Sequence, residues 1–198
     1  MLRSASAIHD LETSALENPG HALAYFYFSF SDTEKQNTDN MLCSIIQQLC
    51  AARLDTPKAL LDLRFYKDKS QRPHIDSLKH TTKDVLQGFN HVYIVLDAID
   101  ECPSKERQTL LKTLEHLQKQ VTAPVHLLCT SRKEHDIQQG FEKFNHQLEF
   151  NLEDLKVKVD ADIYFFIDQW VIKSKFNEGN DKIKRLIKDT LVEKADGM

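Results

Sequence analysis

Three carboxylates follow one short apolar run within five positions. The run is Val92–Leu96, and Asp97, Asp100 and Glu101 come after it. Acids at the mouth of a buried strand cost free energy, because burial and mutual repulsion both disfavour their charged forms. A nucleotide-hydrolysing site uses such acids, since one carboxylate holds the hydration shell of Mg²⁺ and a neighbour polarises the attacking water. The cation then offsets the repulsion, so this spacing indicates a candidate site.

A second interpretation of the same residues needs no ligand. Asp97 can cap a turn, and Asp100 and Glu101 can be solvated acids of a loop. The spacing of these residues alone leaves both interpretations open.

A second apolar run ends in residues that could contact a phosphate. In "VHLLCTSRKEHDI" the run is followed by Thr130, Ser131 and Arg132. A hydroxyl at the end of a strand can hold a phosphate oxygen or a water, and an arginine can neutralise phosphate charge. The alternative is a surface turn that happens to carry an arginine. The two blocks occur in this order with a helix between them, and together they favour the phosphate interpretation more than either does alone.

The elements that must position these residues alternate between strands and helices. Strands are predicted at "ALAYFYFSF" (22–30), at the run before Asp97, at "APVHLLCTS" (123–131) and at "HQLEFNL" (146–152). Strands joined by helices predict an α/β fold, with a mostly parallel sheet and helices on both faces in three layers. Active sites of such sheets lie at the carboxyl ends of the strands, where both polar blocks fall.

Helical spacing of apolar residues predicts the helices between the strands. One covers "LRSASAIHDLETSAL", and another begins near residue 38 with Thr38 or Asp39 as its N-cap. "HIDSLKHTTKDVLQGF" and "SKERQTLLKTLEHLQKQV" are two more, the latter with Ser104 as N-cap. Two further helices are predicted in the tail, between Val159 and Ala195.

Composition excludes several classes of function. The chain has 198 residues, 41% hydrophobic and 28% charged, with a formal net charge of -4. It contains no dense Lys/Arg run, so we expect no nucleic-acid partner. No apolar run approaches the roughly 18 residues of a membrane span, so we expect no membrane association. The four cysteines form no C-x-x-C pair, which predicts neither a zinc site nor disulfides and favours a reducing, cytoplasmic location.

The segment "VYIVLDAIDECP" resembles the Walker B segment of NACHT domains, the signalling NTPase module of the STAND class. It is most similar to the nephrocystin-like version found in fungal NLR-like proteins. "LAYFYFSFSDTEKQNTDNMLCSIIQQL" is similar to the family's strand and helix after the P-loop helix, and "VHLLCTSRKEHDI" is similar to its sensor segment. The resemblance implies a P-loop-NTPase-like core at residues 1–155 and the start of a helical subdomain at 156–198.

The resemblance also implies roles for individual residues. Asp97 would be the Mg²⁺-associated Walker B acid, acting through water, and either Asp100 or Glu101 would activate the attacking water. Arg132 would be the sensor arginine, with Thr130 and Ser131 beside the nucleotide. The implied cofactors are Mg²⁺ and ATP. The implied partners are other NACHT domains, in homo- or hetero-oligomers that form when ATP replaces ADP.

The phosphate-binding sequence of such an NTPase, G-x-x-x-x-G-K-[ST], does not occur in these 198 residues. "LRSASAIHDLE" resembles the helix directly after the family's lysine, so we expect a fragment that begins just downstream of the phosphate loop. Charge-assisted phosphate contacts contribute about 1.5–3 kcal/mol each. We therefore expect nucleotide binding to be weaker by orders of magnitude, and this chain alone to be inactive. In the family the P-loop strand lies beside the sensor strand, so we also expect strand edges without a partner.

The absence of a phosphate loop is compatible with two alternatives to a fragment. The chain could be a degenerate paralogue that acts as a non-catalytic interaction scaffold. Alternatively, its N-terminal half could come from elsewhere.

Overall fold

Three apolar stretches pair side by side in one parallel sheet, in the order β1, β2, β3. β1 is His21–Tyr27, β2 is His91–Asp97 and β3 is Val125–Cys129. The register places Tyr27 opposite Asp97, and Leu96 opposite Cys129. Since parallel strands all end at the same side of the sheet, the residues that follow β2 and β3 become neighbours.

The computed structural model describes residues 2–53, 55–69, 71–144, 147–151, 164–170 and 181–195. The chain divides into two compact units, Met1–Asn145 and His146–Met198. The predicted domain boundary after residue 155 lies outside the described residues and stays a prediction.

Helices precede, connect and follow the three strands. Two single turns of 3-10 helix, Thr33–Lys35 and Ile99–Glu101, follow β1 and β2. The α-helices of the first unit are α1 (Leu2–Glu17), α2 (Thr38–Ala51), α3 (Lys58–Asp68), α4 (Ile75–Leu86), α5 (Ser104–Gln120) and α6 (His135–Phe141).

The main hydrophobic core lies on one face of the sheet. Alternate strand residues point to the same face, and on this face those of β1 and β2 are buried against α2, α4 and α5, while those of β3 are partly buried. Removing this apolar surface from water is the main driving force for forming the layer. The buried residues at its centre include Ala24, Phe26, Ile94, Leu96, Ile45, Leu49, Leu78, Val85, Leu110 and Leu114.

The first helix covers the opposite face of the sheet. Ser4 of α1 donates a hydrogen bond to Asp97, and Val95, on the same face of β2, is buried. With helices on both faces of a parallel sheet, the predicted α/β fold class is confirmed. Cover is thinner over β3, where Leu128 remains 42% exposed although it lies inside a strand.

The two outer edges of the sheet differ. At β1, the side-chain amide of Gln48 on α2 accepts from the Tyr25 N–H at 3.0 Å and donates to the Tyr25 carbonyl at 2.8 Å. The amide thus takes the place that a neighbouring strand would have. At β3, no strand pairs with the outer edge among the described residues.

The predicted N-caps are wrong by a residue or two. α2 begins at Thr38, so neither Thr38 nor Asp39 caps it. The cap is Asn37, whose side chain accepts from the N–H three residues later at 2.8 Å. α5 begins at Ser104 itself, with Pro103 in the cap position and no side-chain bond. In α2, Asn37 offers a short acceptor on extended backbone one residue earlier, which an N-cap requires.

The predicted fourth strand is also wrong. Residues 147–151 have no regular structure, and Leu148 and Phe150 are 84% and 75% exposed. Alternating apolar residues form a strand only where a neighbour completes the hydrogen-bond ladder. The strands predicted at 22–30 and 123–131 exist, but they are shorter than predicted.

In the second unit the described parts of the predicted tail are helical. Residues 164–170 lie in a helix, and a longer helix covers Asp181–Ala195. Among the described residues, no helix has the length and apolar character needed to cross a membrane.

Candidate functional site

Asp97 ends β2 and is nearly buried, with 4% of its surface exposed. Its Oδ1 accepts a hydrogen bond from the Thr130 hydroxyl at 2.6 Å and a second from the Ser4 hydroxyl. No described residue donates to Oδ2. Asp97 therefore joins β2 to α1 and to the end of β3, and it is neither a simple turn cap nor a solvated acid.

Thr130 follows β3 and closes the same end of the sheet. Its hydroxyl accepts from the Ala98 N–H at 2.9 Å while it donates to Asp97. Its backbone extends the ladder, because its N–H bonds to the Leu96 carbonyl at 3.0 Å and its carbonyl accepts from Ile99 at 2.9 Å. Thr130 thus fixes both the carboxylate and the turn that follows it.

The chain turns at Ala98, directly after the buried acid. Ala98 has φ 55° and ψ 52°, the left-handed conformation that costs a residue with a Cβ about 1–2 kcal/mol. The bonds to Thr130 hold it there. This turn directs Asp100 and Glu101 to the carboxyl end of the sheet, and backbone strain of this kind often marks functional sites.

Asp100 and Arg132 are in direct contact. The Arg132 N–H donates to Asp100 Oδ1 at 3.1 Å, and the Arg132 Nε lies 3.5 Å from Oδ2. The Asp100 side chain is 12% exposed and the Arg132 side chain 82% exposed. An ion pair this open stabilises the fold little. The guanidinium therefore remains accessible to an anion.

Glu101 contacts the loop after β1. Its Oε2 accepts from the Phe30 N–H at 3.0 Å, so the loop and the acidic turn are tied together. Glu101 itself is partly exposed. The contact puts a third carboxylate at this end of the sheet.

The six predicted site residues lie together, with one qualification. We call them the carboxyl rim: Asp97, Asp100, Glu101, Thr130, Ser131 and Arg132. The hydroxyl of Ser131 is the exception, because it donates to the Arg132 carbonyl at 2.6 Å and contacts none of the acids. The structure thus pairs Asp97 with Thr130 and Asp100 with Arg132, while Glu101 contacts the loop after β1 and the Ser131 hydroxyl stays apart.

Sequence analysis missed Arg107, on the first turn of α5. Its side chain is 13% exposed, and it donates to the Asp100 carbonyl at 2.6 Å and to the Cys102 carbonyl at 2.8 Å. It also pairs with Asp136 of α6 at 3.2 Å. The only available signal was its place in the first turn of the helix that follows the acids, which does not separate a buried arginine from a solvated one.

The cysteine beside the acids is a structural residue. Cys102 is fully buried, and its Sγ donates to the Gln36 carbonyl at 3.4 Å. Burial, together with the negative charge of Glu106, raises the pKa of the Cys102 thiol to about 11. The thiol is therefore protonated near neutral pH and is not a nucleophile.

A directly coordinated metal site is not formed within the described part of the chain. No group of three His, Cys, Asp or Glu side chains there is arranged to hold an ion. A hydrated Mg²⁺ needs less, since it keeps several waters and uses one or two carboxylates. Asp97 meets that smaller requirement, with Oδ2 unshared among the described residues.

Much of the chain matches a known protein family. The family described as nephrocystin 3, N-terminal, matches residues 2–132, which is more than half of the chain and includes all of the carboxyl rim. No curated protein matches the sequence. The chain is therefore a nephrocystin-like domain and belongs to the nephrocystin 3 N-terminal family.

Proposed function

We propose that this chain carries the Mg²⁺- and water-binding part of a NACHT-type nucleoside-triphosphatase of the STAND class, from an NLR-like signalling protein of fungal type. The supporting observation is the contact of Asp97 with Thr130, beside that of Asp100 with Arg132, at one end of a parallel sheet. A buried acid and an accessible arginine at one end of a sheet are two of the groups that a Mg²⁺-nucleotide site uses.

The residues present fit a hydrated magnesium ion. Asp97 has one carboxylate oxygen held by two hydroxyls and one that receives no hydrogen bond from a described residue. In the proposed site that second oxygen accepts from a water ligand of Mg²⁺, and the ion supplies positive charge near the phosphates. Ser4, which holds Asp97, lies near the amino end of α1, where unpaired N–H groups favour anions.

The other rim residues take complementary roles in this proposal. Asp100 or Glu101 polarises the attacking water, and Arg132 neutralises phosphate charge. Thr130 holds Asp97 and the following turn in place, as its hydrogen bonds indicate. Ser131 has a weaker claim, because its hydroxyl is committed to a neighbouring carbonyl.

Binding of Mn²⁺, a paramagnetic substitute for Mg²⁺, tests the site without nucleotide. In the proposed site Mn²⁺ broadens the amide resonances of residues 97–101 and 130–132, and Asp97→Asn removes the broadening. Asp76→Asn, at an exposed position on α4, is the matched control and should leave it unchanged. Broadening that is absent from the rim, or indifferent to Asp97→Asn, would count against the proposal.

Turnover tests the part played by the missing phosphate loop. The sequence has no G-x-x-x-x-G-K-[ST]. With this chain alone, ATP is therefore expected to hydrolyse no faster than it does in Mg²⁺-containing buffer without protein. Robust hydrolysis that Glu101→Gln abolishes would contradict the expectation that these residues alone do not form a complete nucleotide site.

A non-catalytic interaction scaffold is the second candidate function. It is favoured by Leu128, which is exposed in a strand that has no outer partner among the described residues. A scaffold predicts no Mn²⁺ effect at the rim and a stable complex with another nephrocystin-like chain. Size-exclusion chromatography with light scattering, with and without nucleotide, separates the two candidates.

A further inference from the structure

Arg107 contacts both chain segments that meet in the carboxyl rim. Its Nη2 donates to the Asp100 carbonyl at 2.6 Å, and its Nε donates to the Cys102 carbonyl at 2.8 Å. These two bonds fix the backbone of the turn that carries the acids. With the guanidinium largely buried, these contacts are also shielded from water.

The third nitrogen of Arg107 reaches the segment that follows Arg132. Nη1 lies 3.2 Å from Asp136 Oδ1 and 3.9 Å from Glu134 Oε2. Glu134 is the N-cap residue of α6, and Asp136 lies in its first turn. One guanidinium thus holds the acidic turn on one side and the start of α6 on the other.

We infer that Arg107 is the positioning residue of the carboxyl rim. By fixing both segments, it sets the contact between the Asp100 carboxylate and the Arg132 N–H. The positioning role itself does not depend on the proposed function. Only one consequence rests on that function, namely that Mg²⁺ binding depends on Arg107. Lysine cannot replace it, because its donors all sit on one nitrogen at the end of a flexible stem, whereas the guanidinium spreads its donors over three nitrogens in a fixed fork.

Arg53 provides a matched control elsewhere in the first unit. Its side chain is also 13% exposed, donates to the Val85 carbonyl at 3.0 Å and pairs with Asp55. Arg53→Lys and Arg107→Lys therefore remove comparable contacts. Only the second removes contacts to the carboxyl rim.

The first readout is the amide resonance of Arg132 in the ¹⁵N-labelled full chain. Asp100→Asn should shift this resonance, because the carboxylate accepts from that N–H. In an Arg107→Lys background the shift should be largely lost, and in an Arg53→Lys background it should persist. A full shift in the Arg107→Lys background overturns the inference.

The second readout is the dissociation constant for Mn²⁺ alone. Residues that hold the surroundings of a metal ligand typically change metal affinity by about 10-fold or more, and Arg107 holds the turn that directly follows Asp97. Arg107→Lys should weaken Mn²⁺ binding by about that factor, and Arg53→Lys should leave it unchanged. Equal affinities in the wild type and both variants would overturn the link to metal binding.

The outcomes separate the inference from the proposed function. If Mn²⁺ never reaches the rim but the Arg132 shift still depends on Arg107, the proposed function fails and the positioning role stands. If Arg107→Lys does not fold, Asp136→Asn takes its place, because it removes one ion pair and leaves the carbonyl contacts intact. In an Asp136→Asn background, the shift that Asp100→Asn causes at the Arg132 amide should be partly lost. An undiminished shift would overturn the inference.

Discussion

The two ends of the same three strands are built from different chemistry. At the carboxyl end, acids, hydroxyls and arginines form directional hydrogen bonds between elements. At the amino end, four rings pack together, and we call them the amino rim: His21, His91, Tyr93 and His126. The His91 Nδ1 lies 3.1 Å from the His126 Nε2, and the His21 and His91 ring centroids lie 4.8 Å apart.

The difference shows what each end requires. Because the strands run parallel, their first residues are brought together as closely as their last. In the amino rim, the contact between His91 and His126 needs at least one neutral ring, because one ring nitrogen must accept the hydrogen bond that the other donates. The carboxyl rim carries negative charge and needs donors and cations around it. Removing an acid should therefore destabilise the carboxyl end of the sheet, and lowering the pH should destabilise the amino end.

The largest effect is expected from Asp97→Ala, which removes the shared acceptor of the carboxyl rim. The hydroxyls of Ser4 and Thr130 lose their partner in a buried setting, at a cost of about 1–3 kcal/mol in unfolding free energy. Urea denaturation measures the loss. Asp10→Ala, at an exposed position in α1, should cost nothing, because alanine is the better helix former. Equal losses in both variants would show that Asp97 has no structural role at this end.

A smaller effect is expected from Thr130→Val, which keeps the side-chain shape but removes the hydroxyl. The loss of the bonds to Asp97 and to the Ala98 N–H should cost about 1 kcal/mol. Thr122→Val, at an exposed position, serves as the control and should stay within about 0.5 kcal/mol of the wild type.

Coupling between the two rim substitutions sharpens the prediction. In an Asp97→Ala background, Thr130→Val should lower the unfolding free energy less than it does alone. The reason is that the hydrogen bond between Thr130 and Asp97 is already absent. Fully additive losses, measured by the same urea titrations, would mean that the two residues act independently.

The smallest effect is expected at the amino rim and depends on pH. Burial and the neighbouring His91 and His21 lower the pKa of His126 in the folded protein. The neutral form is therefore favoured on folding. The stabilisation is fully present above the ordinary histidine pKa of about 6.5, and it falls as pH decreases below that value.

His126→Gln should remove this component of the pH dependence. The fall in unfolding free energy between neutral and mildly acidic pH, measured by urea titration, should be smaller in the variant. The titratable groups in ring contact or charge coupling with His126 are His91, His21 and Tyr93. His9→Gln, on the exposed surface of α1, should retain the wild-type fall in unfolding free energy. An unchanged fall in His126→Gln would show that His126 does not contribute to the pH dependence.

Much of the carboxyl rim could be predicted because its signal is local. An apolar run followed directly by an acid fixes both the strand and the end at which the acid lies. Asp97 and Thr130 follow that rule, and a parallel sheet then brings their positions together. The amino rim had the same kind of signal in His21, His91 and His126, but histidines without metal spacing do not indicate ring packing.

Features that depend on non-local partners could not be predicted. The 147–151 segment has the alternation of a strand but is irregular in the structure. Arg107 looks like any helical arginine until the carbonyls of Asp100 and Cys102 are placed around it. The cap of α2 depends on the backbone conformation of Asn37, which residue type alone does not set.

The sequence by itself determined the alternation of strands and helices, the parallel sheet and the end of that sheet at which the acids lie, because each follows from periodicity and chain order. Only the tertiary structure decided which oxygen of Asp97 is shared, that Asp100 meets Arg132, and that Arg107 holds both segments. These contacts join residues from about 30 to over 90 positions apart or depend on burial. Such contacts arise from packing, which local sequence patterns do not encode.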